Sequence, residues 1–298
     1  MTRIHRKTTI VLLIGILAAL AASPALAQAA PFGIESVSGS LDGPTGEPLL
    51  TAGAHPDLDV AITFKKSETA SGGEMPNGNP KDVEVMLPPG LVGNPTATGK
   101  CTQGEIYELK FTANCEPDTQ VGVATVTSYI GGFPSPNRLP VYNMVPPKGV
   151  AGQFAFNLLS DVVFINSEVT ANGEYRLRSN IGNISQTLPL GDTELTLWGV
   201  PGAASHDAER WPRGGFAPGE PLPFSGPKVP LMTNPTSCTG APLHFDVRAD
   251  SWQAPGAFSE LGFETDPDGT PLTIEDCPAS PFEASFEAQP TTGRADSP

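Results

Sequence analysis

Hydrophobic and polar residues alternate along much of this chain, which is the period of a half-buried β-strand. The alternation is clearest at 282–288, and the segments 58–64, 82–87 and 243–249 also alternate regularly. Weaker or shorter patterns predict further strands at 32–41, 121–130, 139–145, 153–159, 162–170, 175–180, 184–188 and 193–200. The segment 201–230 has no period and is predicted to be a long loop.

Turn residues separate these runs, and a helical pattern occurs once after the first 27 residues. The chain contains 32 Gly and 33 Pro, clustered between the alternating runs. Thr102 and Glu105 have the spacing of a capping box, which predicts a helical turn between two cysteines. The pattern therefore predicts an all-β protein, an immunoglobulin-like β-sandwich with long Gly/Pro-rich loops. It is either one large sandwich or two packed ones, with parts at 28–180 and 181–298.

Residues 1–27 have the pattern of a signal peptide and are not expected to belong to the fold. Arg3, Arg6 and Lys7 precede an apolar run, and small residues mark a cleavage site near Ala27. We therefore expect a secreted, extracellular or cell-envelope protein, with no membrane insertion after cleavage. Cleavage makes the net charge of −15 still more negative, which argues against nucleic acid as a partner.

All four cysteines lie in the part expected to be exported, where disulfides are the default. Three pairings are possible, and the spacing favours Cys101 with Cys115 and Cys238 with Cys277. A zinc site is the alternative. It is not favoured, because no two cysteines have C-x₂₋₄-C spacing and no histidine lies close to them.

The candidate binding site is a short segment of the long loop. It contains His206, Asp207, Glu209, Arg210 and Trp211. Such residues could bind a sugar or a cation, or place a base beside Ser205 for hydrolysis. The alternative is a structural loop, held by an Arg210 salt bridge with Trp211 packed over the end of the sandwich.

Other chemistry is sparse. No metal site or cofactor is predicted; Asp266 and Asp268 are weak calcium candidates, and the pattern there favours an ordinary Asp-Gly turn. No catalytic motif is found, so no catalytic residue is predicted. Trp198, Trp211 and Trp252 could form a sugar-stacking surface if they were exposed on one face.

The segments DVEVMLPPGLVGNPTA, CEPDTQVGVATV and PVYNMV, with LWGVP and RADSW further on, resemble a group of large secreted proteins of high-GC Gram-positive bacteria. Those proteins consist of several β-sandwich modules and have no assigned activity. The resemblance covers most of the chain after the signal peptide. It matches their N-terminal region, so we expect a truncated copy or a short member of the group.

Together these observations predict an exported, non-enzymatic protein with a structural or adhesive role at the cell envelope. The alternative is a carbohydrate-binding module, or an accessory domain of a secreted polysaccharide-degrading system. A secreted hydrolase that uses the 205–211 loop is the third hypothesis. The expected partners are a cell-wall or extracellular glycan, or another envelope protein.

Overall fold

The computed structural model describes residues 31–171, 173 and 175–277. The predicted signal peptide and the strand predicted at 282–288 lie outside the described residues. The strands are β1 (Ile34–Asp42), β2 (Asp57–Phe64), β3 (Lys66–Glu68), β4 (Glu74–Pro76), β5 (Pro80–Met86), β6 (Val92–Gly93), β7 (Gln120–Ile130), β8 (Phe133–Asn143), β9 (Gly152–Leu158), β10 (Asp161–Val169), β11 (Leu177–Ile181), β12 (Leu190–Leu197), β13 (Met232–Thr233), β14 (Phe245–Ser251) and β15 (Ala254–Phe263). The helices are α1 (Gln103–Glu108) and two 3₁₀ helices, Pro117–Thr119 and Ala204–Glu209.

Eleven strands form one antiparallel sheet, in the order β1-β2-β12-β7-β8-β9-β10-β11-β5-β14-β15. The pairs β3–β4 and β6–β13 form two small sheets. The predicted all-β fold is confirmed. Its finer assignment as immunoglobulin-like stays a prediction.

The large sheet folds over so that its first and last strands meet. The Ile34 amide of β1 donates to Ser259 Oγ of β15 at 3.0 Å, and a side chain at Gly39 would overlap the ring of Phe263. The residues on the inner side of the fold-over form the main hydrophobic core. In β2 they are the alternate residues that the sequence pattern predicts, Leu58, Val60, Ile62 and Phe64, all buried.

A second, smaller core covers part of the outer side of the sheet. The loop between Cys101 and Cys115 is closed by a disulfide and packs Ile106 of α1 against β8 and β9. Strand β9 is therefore buried on both faces. The predicted pairing is confirmed for this disulfide and for the second one, Cys238–Cys277.

Strands from before and after residue 180 alternate within the large sheet. β5 (Pro80–Met86) lies between β11 and β14, and β12 lies between β2 and β7. The described residues from Phe32 onward belong to one compact unit. The predicted boundary between residues 180 and 181 falls inside β11.

The sequence pattern predicts one strand that the structure does not contain and misses one long strand. Segment 184–188 is irregular. The amide of Ile184 donates to the carbonyl of Lys81 at 2.9 Å, and its carbonyl accepts from the indole of Trp252 at 2.8 Å, so Ile184 is not part of a strand ladder. Strand β15 was not predicted, since it is an edge strand that is exposed along most of its length and therefore does not alternate.

The prolines of 134–140 lie within strand β8, which pairs with β7 along its whole length but with β9 only at Tyr142 and Asn143. Most of β8 thus has one free edge, where a missing N–H breaks no ladder. In the described part of the chain, every helix is too short or too polar to cross a membrane.

Candidate functional site

A row of polar side chains crosses the outer face of the sheet over six neighbouring strands. Each residue is directly opposite the next in the ladder, and the row runs Gln153, Asn166, Asn180, Glu84, Arg248, Glu260. We call it the polar row. Five steps of about 4.8 Å between strands give it a length of roughly 24 Å. Its neighbours along each strand, such as Val83 and Ile165, point into the core.

Three side-chain amides form one end of the row. Gln153 Nε2 donates to Asn166 Oδ1 at 2.8 Å, and Asn180 lies beside Asn166 on the next strand. Gln153 is buried, and its Oε1 has no hydrogen-bond partner among the described residues. Because a buried acceptor without a partner is costly, this oxygen is suited to accept a hydrogen bond from a bound molecule or water.

Helix α1 places an aromatic side chain at the rim of the amide end. Tyr107 is 54% exposed, and its ring centroid is 6.1 Å from that of Phe164 on β10. The helix is fixed by the predicted capping box: Thr102 Oγ1 accepts from the Glu105 amide at 3.2 Å, and Glu105 Oε2 accepts from the Thr102 amide at 2.8 Å. The position of Tyr107 is therefore set by the disulfide-closed loop.

Tyr107, Phe164 and the amides surround an open depression of about 650 Å³. Further polar groups complete its lining. They are the hydroxyls of Ser160 and Ser185, the carboxylate of Asp161, and the side-chain amides of Gln103 and Asn183. We call this depression the amide groove. Its donors and acceptors are mostly neutral, with aromatic carbon alongside, which is the composition expected of a site for an uncharged polar ligand.

The other end of the polar row is charged, and its charges are paired with one another. Arg248 donates through Nε at 3.0 Å and through NH2 at 2.8 Å to the same oxygen of Glu84. Its guanidinium lies 4.7 Å from the ring centroid of Phe258. Arg178 donates to Glu168 at 2.8 Å, a hydrogen bond that raises the pKa of Arg178. The charges of Arg248 and Arg178 are thus paired with Glu84 and Glu168, so we regard the amide groove as the candidate site.

The segment predicted as a binding loop is partly buried, and its histidine, arginine and tryptophan are enclosed. His206 is 5% exposed; its ring stacks on Trp198 with centroids 4.6 Å apart, and its Nε2 is 3.5 Å from Asp57 Oδ1. Glu209 forms an ion pair with Arg138, and the Asp207 carbonyl accepts from the Leu222 amide at 2.8 Å. The histidine is therefore inaccessible as a base.

Arg210 is fully buried and holds the long loop together. Its guanidinium donates to the carbonyls of Leu222 at 3.1 Å, Pro201 at 2.8 Å and Pro117 at 3.3 Å. Asp207 is 3.9 Å away, and burial lowers the pKa of Arg210. The arrangement resembles the predicted alternative, a structural loop held by Arg210. The main partners of Arg210 are backbone carbonyls rather than a close salt bridge.

The tryptophans do not form an exposed stacking surface, so that hypothesis is wrong. Trp198 is 0% exposed and Trp211 5% exposed. Trp252 is half-buried and donates its indole N–H to the carbonyl of Ile184. Trp198 is buried because its ring packs against Arg210 and His206 beneath the long loop rather than at the surface.

The calcium candidates lie in an ordinary turn. Asp266 Oδ1 accepts from the amides of Asp268 at 3.0 Å and Thr270 at 2.8 Å, as an aspartate does at the start of a turn. Among the described residues, no group of three or more His, Cys, Asp or Glu side chains is arranged to hold a metal ion.

The polar row could not be found from the sequence alone. Its members come from strands far apart in the chain, and they become neighbours only through the pairing of β11 with β5. The signal within each strand was visible, since Asn166 and Asn180 occupy the polar positions of their alternating runs. Which strands would pair was not.

The two disulfides indicate an oxidising environment, as expected of an exported protein. Comparisons of the sequence with family models and with curated proteins, and of the fold with solved structures, found no match.

Proposed function

We propose that this protein is an exported, non-enzymatic module of the cell envelope that binds a neutral glycan in the amide groove. The observation that supports this proposal is the meeting of three side-chain amides with two aromatic rings in one open depression. The proposal joins the predicted envelope role to its carbohydrate-binding alternative.

The chemistry of the groove matches that of a sugar. A sugar presents hydroxyl groups that both donate and accept hydrogen bonds, and a side-chain amide offers both functions within one planar group. Its apolar C–H faces can pack on an aromatic ring, which Tyr107 offers at the rim. Asn180, Asn166 and Gln153 line the groove, and each side-chain amide has both a donor and an acceptor.

Charge supports a neutral rather than an anionic glycan. The chain carries 32 Asp and Glu against 17 Lys and Arg, so a polyanion would be repelled overall. The arginines nearest the groove, Arg178 and Arg248, are paired with Glu168 and Glu84. A neutral polysaccharide, as found in cell walls and extracellular matrices, avoids both difficulties.

The experiment is a screen of the purified protein on a glycan array, with and without calcium, followed by calorimetric titration of the best ligand. Variants Asn180→Ala and Tyr107→Ala each remove a contact worth roughly 1 kcal/mol, so we expect affinities about fivefold lower for each. Binding should not depend on calcium.

Two matched variants serve as controls. Phe133→Ala removes an aromatic side chain that is 71% exposed at the start of β8, and Glu260→Ala changes the charged end of the polar row. Both should bind like the wild type. A blank array, or equal affinity in all four variants, would remove the support for a glycan and favour a purely structural or adhesive role.

A further inference from the structure

An apolar cavity of about 130 Å³ lies inside the fold-over of the large sheet, on the face opposite to the amide groove. Its walls are formed mainly by inward-facing apolar side chains of six strands of the large sheet. They include Leu58, Val60, Val85, Phe156, Leu177 and Leu195. Protein interiors contain few voids larger than a water molecule, so a cavity of this size requires an explanation.

The cavity exists because three adjacent inward positions carry small residues. Gly152, Ser167 and Ser179 are directly opposite one another on β9, β10 and β11. At most other buried positions on this face, the strands carry Val, Leu, Ile or Phe. The hydroxyls of Ser167 and Ser179 lie 3.2 Å apart and form a hydrogen bond with each other.

The void is elongated. A second apolar cavity of about 50 Å³ lies next to the first and shares five of its lining residues. These are Ile62, Val83, Phe156, Ile181 and Thr193. Two adjacent apolar spaces arranged in this way fit a flexible linear chain better than a rigid ring.

One end of the cavity lies near the protein surface. Gly93 and Ala151, which line that end, are exposed, and Asn94 and Pro95 beside them are half-buried. A side chain at Gly152 would lie 3.3 Å from Pro95, so the serine row and this end are close together. The side chain of Asn94 thus offers a polar group at the end where a ligand would enter.

Some of the side chains that line the cavity remain partly accessible to solvent. Val85, Ile181 and Leu195 point into the fold yet are half-buried rather than buried, whereas inward residues elsewhere in the sheet, such as Val60 and Val247, are buried. Their apolar surface would be removed from water if the space were occupied, which is a favourable contribution to binding.

We propose that this cavity binds the alkyl chain of a single-chain amphiphile such as a fatty acid. The tail occupies the space above Ser167 and Ser179, and the polar head stays at the end lined by Gly93 and Asn94. An empty apolar cavity of similar size in another protein takes up benzene, so about 130 Å³ is enough for a short alkyl segment.

The test is a series of titrations of the purified protein with sodium butanoate, hexanoate and octanoate, followed by NMR of ¹³C-labelled Ile, Leu and Val methyl groups. We expect the affinity to rise about fourfold with each added CH₂ until the cavity is filled. The methyl signals of Val85, Ile181 and Leu195 should shift, and those of exposed residues such as Val169 should not.

The variant Ser179→Leu fills the cavity and should abolish binding. Its control is Thr125→Leu, on the outer face of β7 opposite Glu194, which should bind octanoate like the wild type. Octanoate binding that Ser179→Leu retains would overturn the proposal. If Ser179→Leu does not fold, the wild type decides: affinity independent of chain length, or methyl shifts confined to exposed residues, would also overturn it.

Discussion

Replacing Arg210 by lysine should destabilise the protein strongly, although the charge is kept. The guanidinium donates from three nitrogens to carbonyls on three separate segments, those of Leu222, Pro201 and Pro117. A lysine ammonium is a compact donor on a flexible stem and cannot reproduce this spread. It can keep one of these hydrogen bonds and leaves the other carbonyls without a partner in a site that excludes water.

The magnitude follows from the hydrogen bonds that lysine cannot make. Hydrogen bonds to a charged group contribute about 1.5–3 kcal/mol each, and the variant lacks two of them. Arg210 also lies over two rings, 5.3 Å from the centroid of Trp198 and 5.2 Å from that of Phe224, and lysine packs less well on such faces. We therefore expect the free energy of unfolding to fall by about 4 kcal/mol.

Urea unfolding followed by circular dichroism measures this decrease. With an m-value of about 3 kcal/mol/M, the midpoint should fall by more than about 1 M urea. The matched control is Arg213→Lys, three residues further along the same loop. Arg213 is exposed and pairs with Glu116 at 2.6 Å, so its replacement should cost less than about 1 kcal/mol. Equal, small decreases in the two variants would refute the reasoning that Arg210 holds the loop.

Two further predictions concern stability. Burial raises the pKa of Asp59 from 3.8 to about 6, so the folded state binds a proton at this carboxyl more tightly than the unfolded state does. The stability gained from binding this proton is complete below pH 4 and is lost as the pH rises through 6. Asp59→Asn should therefore be about 2 kcal/mol more stable than the wild type at pH 7.5 and no more stable at pH 4, in urea titrations at both pH values; a constant difference would contradict this. Replacing Cys101 and Cys115 by alanine should cost about 3 kcal/mol and weaken glycan binding, because that loop carries α1. Replacing Cys238 and Cys277 should cost about 4 kcal/mol and leave glycan binding unchanged; equal effects of the two pairs on calorimetric affinity would contradict the placement of the site.

Local pattern was enough to predict the elements in which one face is buried. Strand β2 alternates because its inward residues are core residues, and α1 begins where the capping box predicts. Strand β15 could not be predicted, since an exposed edge imposes no alternation on Ala254–Phe263. The disulfide pairing followed from spacing, because cysteines that close a short loop need no knowledge of the rest of the fold.

Residue types alone could not show that His206, Arg210 and Trp211 of the predicted binding loop are buried. Residues 206–211 combine histidine, acids, arginine and tryptophan, and the same residue types serve equally well to bind a ligand or to hold an irregular loop. Burial separates these uses, and burial depends on tertiary structure: Arg210 is 0% exposed, whereas Tyr107 is 54% exposed. The amide groove depends in turn on the register of Asn180 against Glu84.

The most direct test of the central claim is ¹⁵N NMR of the side-chain NH₂ groups during titration with the best neutral glycan from the array. The account predicts that the signals of Asn166, Asn180 and Gln153 shift in a saturable way, while that of buried Asn143 stays unchanged. Saturable binding that leaves these three signals in place would contradict the assignment of the amide groove as the glycan site.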